Sequence, residues 1–108
     1  MQAIAHNTNE MQWQDAPQYP PGTQIKVLRA GGDSACWTVL LKLPPFWRME
    51  AHTHTTSEQH YVLEGEYESE GRVYTAGSYR LIPKGSFHGP LATHSGAVVL
   101  VMWDPVGT

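Results

Sequence analysis

The chain has 108 residues, a formal net charge of −3 and a pI near 6.0, which suits one domain with one core and leaves no room for a second. Lysines and arginines are few and scattered singly, so the basic stripe that a phosphate backbone requires is absent and nucleic acid is not an expected partner. The longest apolar run, Ala97 to Trp103, is far below the roughly 20 residues that span a bilayer, so no membrane segment is expected.

In chain order, Met1 to Asn9 shows neither the basic start nor the long apolar stretch of a signal peptide, and a cytoplasmic location is expected. Residues 1–23 are polar and marked by Pro17, Pro20, Pro21 and Gly22. They are expected to form an irregular arm packed on the outside through Trp13 and Tyr19, leaving residues 24–108 as the domain proper. A strand is predicted over Gln24 to Ala30, with a turn at Gly31-Gly32-Asp33 and a second strand over Ala35 to Leu43. Alternation in that second run puts Trp37, Val39, Leu41 and Leu43 on one face. Pro44-Pro45 ends it, because proline cannot donate to a ladder. Cys36, the single cysteine, lies among apolar residues and is expected to be a buried structural thiol.

Beyond His52, turn signals come quickly: Gly65, Gly71, Gly77, Pro83 and Gly85. The pieces between them, including Tyr61-Val62-Leu63, Arg72-Val73-Tyr74 and Tyr79 to Ile82, are short and β-rich. Short strands at close turn spacing predict an all-β antiparallel sandwich or barrel. Ala97 to Trp103 is apolar on both sides, so it is expected to be a strand covered on both faces. The apolar strands near Val39 and Val99 offer more cover than one small barrel needs, which favours a homodimer.

The chemistry concentrates in four residues. His52 and His54 are two apart and share one face of an extended strand. Glu58 has the same parity, yet an unbroken strand would carry it about 13 Å beyond His54, too far for a common ion. The chain must therefore turn at Thr55-Thr56-Ser57, and a hairpin whose returning strand brings Glu58 beside the two histidines is expected. The corner Pro83-Lys84-Gly85 can aim His88 at the same point. Three imidazoles and a carboxylate suit one divalent transition ion: zinc, iron(II), manganese, nickel or copper. Such a set can close a tetrahedral structural site or leave water positions open. His60, two beyond Glu58, should also point inward, as a proton shuttle, a substrate contact, a fifth ligand or a hydrogen-bonded filler of the core; it is the candidate catalytic residue. Tyr61 and Leu63 should point away, and alternation does not fix the face of Arg80. Phe46 and Trp47 are taken as core or dimer contacts, and His6 and His94 as solvated.

The stretch His52-x-His54-x3-Glu58-x6-Gly65, followed by Gly77-x5-Pro83-x-Gly85-x2-His88, resembles the paired motifs of the cupin superfamily. The asparagine that often closes the second motif is replaced by Ala92, which is not a ligand position. The resemblance implies a cupin fold, a double-stranded β-helix or jelly-roll-like barrel, with His52, His54 and His88 holding the metal and Glu58 a fourth ligand or a nearby base. The three-histidine set is similar to that of acetylacetone-type dioxygenases, which implies a small dicarbonyl or phenolic ketone substrate. The segments Glu64-Gly65-Glu66, Ala76 to Tyr79 and Pro83 to His88 are also similar to the cupin domain of zinc-binding anti-sigma factors. That likeness implies a non-enzymatic metal-binding or small-molecule-sensing module instead. In those factors a separate N-terminal helical domain binds the sigma factor; no such domain is read in this chain, so a stand-alone enzyme or sensor is expected in place of an anti-sigma role.

Overall fold

The computed structural model describes residues 2–53 and 55–105, without the side chains of His52 and His88. Apart from one 3-10 turn at Thr8–Glu10, the regular structure is entirely β. The strands are β1 (Gln14–Asp15), β2 (Gln24–Arg29), β3 (Trp37–Leu43), β4 (Trp47–Met49), β5 (His52–Thr53), β6 (Glu58–Ser69), β7 (Arg72–Thr75), β8 (Tyr79–Ile82), β9 (Phe87–His88), β10 (Leu91–Thr93) and β11 (Ala97–Trp103). All pair antiparallel. The main sheet runs β1-β2-β3-β11-β6-β10-β4, with β7 and β8 also on β6, while β5 and β9 form a separate ladder. Curling this sheet encloses the core and gives the cupin-like architecture that the motifs implied. No helix among the described residues is long and apolar enough to cross a membrane.

Period-2 alternation decides which residues enter the core. From β3 come Val39, Leu41 and Leu43, from β11 Ala97, Val99 and Val101, and from β6 Val62 and Tyr67, with Trp47 and Leu91 closing the cluster. The opposite face of β11, at Val98, Leu100 and Met102, is only half-buried, so this strand is covered fully on one side and partly on the other. Val39 and Val99 are covered by their own chain at 1% and 3% exposure. Large apolar side chains that remain exposed include Tyr61, Leu63, Tyr79 and Leu81 on β6 and β8, and Phe46, Val73 and Phe87 elsewhere.

Gly65 departs from its expected role as a turn. β6 passes straight through it, with φ +70° and Ala97 as its partner in β11. The bulge lies two residues earlier: Val98 pairs Glu64 and Val99 pairs Val62, so Leu63 is the extra residue, and the long strand bends so that its first half pairs β8 and its second half pairs β7. A Cβ at Gly65 would run into the Gly96 carbonyl oxygen, so only glycine fits. Gly71, by contrast, does turn the chain. Glu70 and Gly71 both have positive φ and join the paired residues Ser69 and Arg72, as a two-residue type I′ hairpin requires.

The arm is more ordered than its composition indicated. β1 pairs with β2, His6 Nε2 lies 2.9 Å from the Leu28 carbonyl, and Lys26 Nζ sits 4.5 Å from the Trp13 ring centroid. Tyr19 is not on the outside; it packs against the core cluster. Two smaller expectations also change. Cys36 is half-buried and lies just before β3. Phe46 is 77% exposed, edge-on to His94 with ring centroids 4.7 Å apart, whereas its neighbour Trp47 is in the core.

Candidate metal centre and the adjoining cavity

The expected hairpin between the His52–His54 segment and β6 does not form. The ladder partner of β5 is β9, in a register that sets His52 opposite His88 and Thr53 opposite Phe87. β6 is already occupied on both edges by β11 and β8, so the short strand β5 has no free edge of β6 to join. The chain still turns after Thr55, but into a strand of another sheet. The side chains of His52 and His88, and His54 throughout, lie outside the described residues; Glu58 is the expected ligand whose side chain is described. Among the described residues, no three His, Cys, Asp or Glu side chains form a metal-sized cluster.

Glu58 opens β6, and inward parity brings His60 next to it, both buried at 7% and 6% exposure. Tyr61 and Leu63 face outward as alternation requires. His60 Nε2 is 2.9 Å from Glu58 Oε1, and His60 Nδ1 is 2.7 Å from Tyr67 Oη. Arg80, directly across the ladder from His60, turns inward too and places Nη1 3.4 Å from the same Tyr67 oxygen.

The donors and acceptors of this row can be assigned by elimination. A guanidinium only donates and an ionised carboxylate only accepts. Tyr67 therefore accepts from Arg80 and gives its single proton to His60 Nδ1, which leaves the ring proton on Nε2 to be donated to Glu58. A doubly protonated ring would strand the Tyr67 hydroxyl proton without an acceptor. The row thus runs in one direction, Arg80 to Tyr67 to His60 to Glu58, with cation and anion at opposite ends. Burial pushes the Tyr67 phenol up to about 12; the hydrogen bond and charge of Arg80 oppose this, and Tyr74 and Glu58 add to it. Tyr67 was not singled out in the sequence, where it sits unremarked between two glycines, and parity alone could not orient Arg80.

Beside Glu58 opens a cavity of about 800 Å³, walled by Tyr19, Trp37, Met49 and Trp103 and edged by Thr53 and Thr55. Thr53 and Thr55 flank His54 in the chain. Tyr19, Met49 and Glu58 also line a smaller void of about 30 Å³ that reaches inward to His60 and Tyr67, so these three side chains stand between the open cavity and the barrel interior. The Tyr19 phenol is pushed well above its ordinary range by burial first and by the negative charge of Glu58 second. An apolar, aromatic cavity with a few polar groups at one end is the usual form of a small-molecule site.

No curated protein matches the sequence significantly. Among solved structures, the anti-sigma factor complex of Rhodobacter sphaeroides, SigE with ChrR, matches with TM-score 0.72 and 22% identity over 91% of this chain. The chain spans only 52% of the one it matches there. KdgF from a Halomonas species matches at TM-score 0.73 and 26% identity, with 92% of both chains covered. An acetylacetone dioxygenase from Acinetobacter johnsonii matches at TM-score 0.76 and 15% identity, over 95% of this chain and 73% of that one. The ChrR cupin-like domain model matches residues 1–107. With the curled sheet and the motif pair already in view, this match over nearly the whole length shows that the chain belongs to the ChrR cupin-like domain family.

Proposed function

We propose that the chain is a metal-binding cupin in which His52, His54, Glu58 and His88 hold one divalent transition ion, and that it acts as a dioxygenase on a small dicarbonyl or phenolic ketone taken into the adjoining cavity. The observation that carries this reading is the β5–β9 register, which makes His52 and His88 cross-strand neighbours although they are far apart in sequence. The neighbours of His54 edge the same cavity that Glu58 lines. The donor set fits such an ion in its chemistry: imidazole nitrogens and a carboxylate suit zinc and the first-row transition metals. A bound ion of this kind supplies Lewis-acid and redox chemistry. The chain's own residues do the rest. His60 donates to Glu58 and orients its carboxylate, while Tyr19, Trp37 and Trp103 give the cavity its apolar walls.

Elemental analysis of purified protein is expected to give one transition ion per chain, largely lost in His52→Ala and in His88→Ala. Iron(II)-loaded protein is expected to consume dioxygen with acetylacetone or 2-hydroxyacetophenone. Protein that holds no ion under any loading would sink the metal reading.

A second reading is favoured by the family match itself and by the likeness to the ChrR complex: a non-enzymatic metal-binding or small-molecule-sensing module. Bound metal with no oxygen uptake across that panel, together with a ligand-dependent rise in melting temperature, is the outcome that selects it.

A further inference from the structure

Tyr19 comes from a segment held at both ends. Ala16 is buried, and the Tyr19 amide donates to its carbonyl at 3.0 Å. Thr23 is buried at 2% exposure; its hydroxyl donates to the Pro20 carbonyl at 2.6 Å and accepts from Trp47 Nε1 at 2.7 Å. The ring between these anchors packs on the core and lines the cavity with Glu58. Tyr19 is only partly buried, so its phenol meets the cavity and is not sealed in the core. A phenol on an anchored segment, lining an aromatic cavity together with a carboxylate, is placed to donate to an oxygen that enters it.

We infer, building on the reading of this cavity as a small-molecule site, that the Tyr19 hydroxyl donates a hydrogen bond to a carbonyl or enolate oxygen of the bound ligand, so that the N-terminal arm supplies a specificity-determining residue. The ligand class follows from the walls. Trp37, Trp103 and Met49 accept a flat apolar body, and a phenol facing an oxygen rejects an analogue lacking it, because its own donor is then left without a partner. The fixed turn keeps the cost of ordering this donor low, since little freedom remains to be lost on binding.

The test is equilibrium binding of 2-hydroxyacetophenone and of ethylbenzene, which keeps the ring and ethyl group but lacks both oxygens, to wild type and to Tyr19→Phe. The variant is expected to bind 2-hydroxyacetophenone about tenfold more weakly, ~1.4 kcal/mol, and ethylbenzene equally well. Its metal content should match wild type, so loss of metal in both proteins would strike the proposed function and leave this inference standing. Equal affinity of both proteins for 2-hydroxyacetophenone, an equal loss for both probes, or no binding to wild type would overturn it. A second measurement avoids any dependence on the variant's folding. With 3-fluorotyrosine in the native sequence, the fluorine resonance of residue 19 should shift on adding 2-hydroxyacetophenone and stay fixed with ethylbenzene; no shift with either also overturns it.

Discussion

At the scale of single residues, the one-way row from Arg80 to Glu58 explains why a histidine and a glutamate can both be buried at the start of one strand. Each donor in the row has one acceptor, so neither polar ring nor carboxylate is left unsatisfied. Tyr67→Phe removes the proton that His60 Nδ1 accepts and leaves a buried acceptor unpaired. A loss of about 1–3 kcal/mol in urea denaturation is expected. The same variant has a pH signature. Because the Tyr67 phenol is raised from 10.0 to about 12, the unfolded chain releases this proton before the folded one does. Stability is therefore complete below pH 10.0 and falls as pH climbs to about 12. Comparing urea midpoints at about pH 9 and about pH 11 should show a smaller alkaline loss in Tyr67→Phe than in wild type.

At the scale of elements, β6 is the strand on which the molecule is organised. It pairs with β11, β8, β7 and β10, and it can do so because the bulge at Leu63, with the positive-φ Gly65 just beyond it, redirects it midway. Two glycines on or beside this strand should respond differently to the same change. Gly65→Ala meets both a positive φ and the Gly96 carbonyl oxygen, so the strand beside the bulge must shift and the loss should exceed ~3 kcal/mol. Gly71→Ala meets nothing within 4 Å and incurs only the left-handed penalty, about 1–2 kcal/mol. Thermal melts of the two variants check the ordering, and equal losses would mean that the bulge is not rigid.

At the scale of the whole molecule, the arm is a wall of the cavity as well as an edge of the sheet. Its outer anchor is Trp13, which lies under Lys26 at 4.5 Å and Lys42 at 5.7 Å, while Lys26 also donates to the Thr8 carbonyl at 2.6 Å. A short edge strand with few long-range ties opens more easily than the central strands. Trp13→Ala is therefore expected to raise amide exchange at Gln14, Asp15 and Ile25 while β3 and β11 keep their protection. Loss of protection in those central strands as well would show that the arm and the barrel open as one unit.

Much of this protein is written locally. Strand content, the stops at Pro44-Pro45, the inward parity of Glu58 and His60 and the outward parity of Tyr61 and Leu63 follow from backbone sterics and a period of two, which each segment carries by itself. The spacing of His52, His54, Glu58 and His88 is equally local information, and it is what singled those residues out. Choice of partner is not local, because any exposed strand edge offers the same N–H and C=O groups. Only the folded sheet decides that β5 joins β9, that β6 bulges at Leu63 and that Arg80 reaches Tyr67. For the same reason, the entry of Tyr19 into the cavity was not legible: a tyrosine in a proline-marked segment reads as surface until the core that receives it has been assembled.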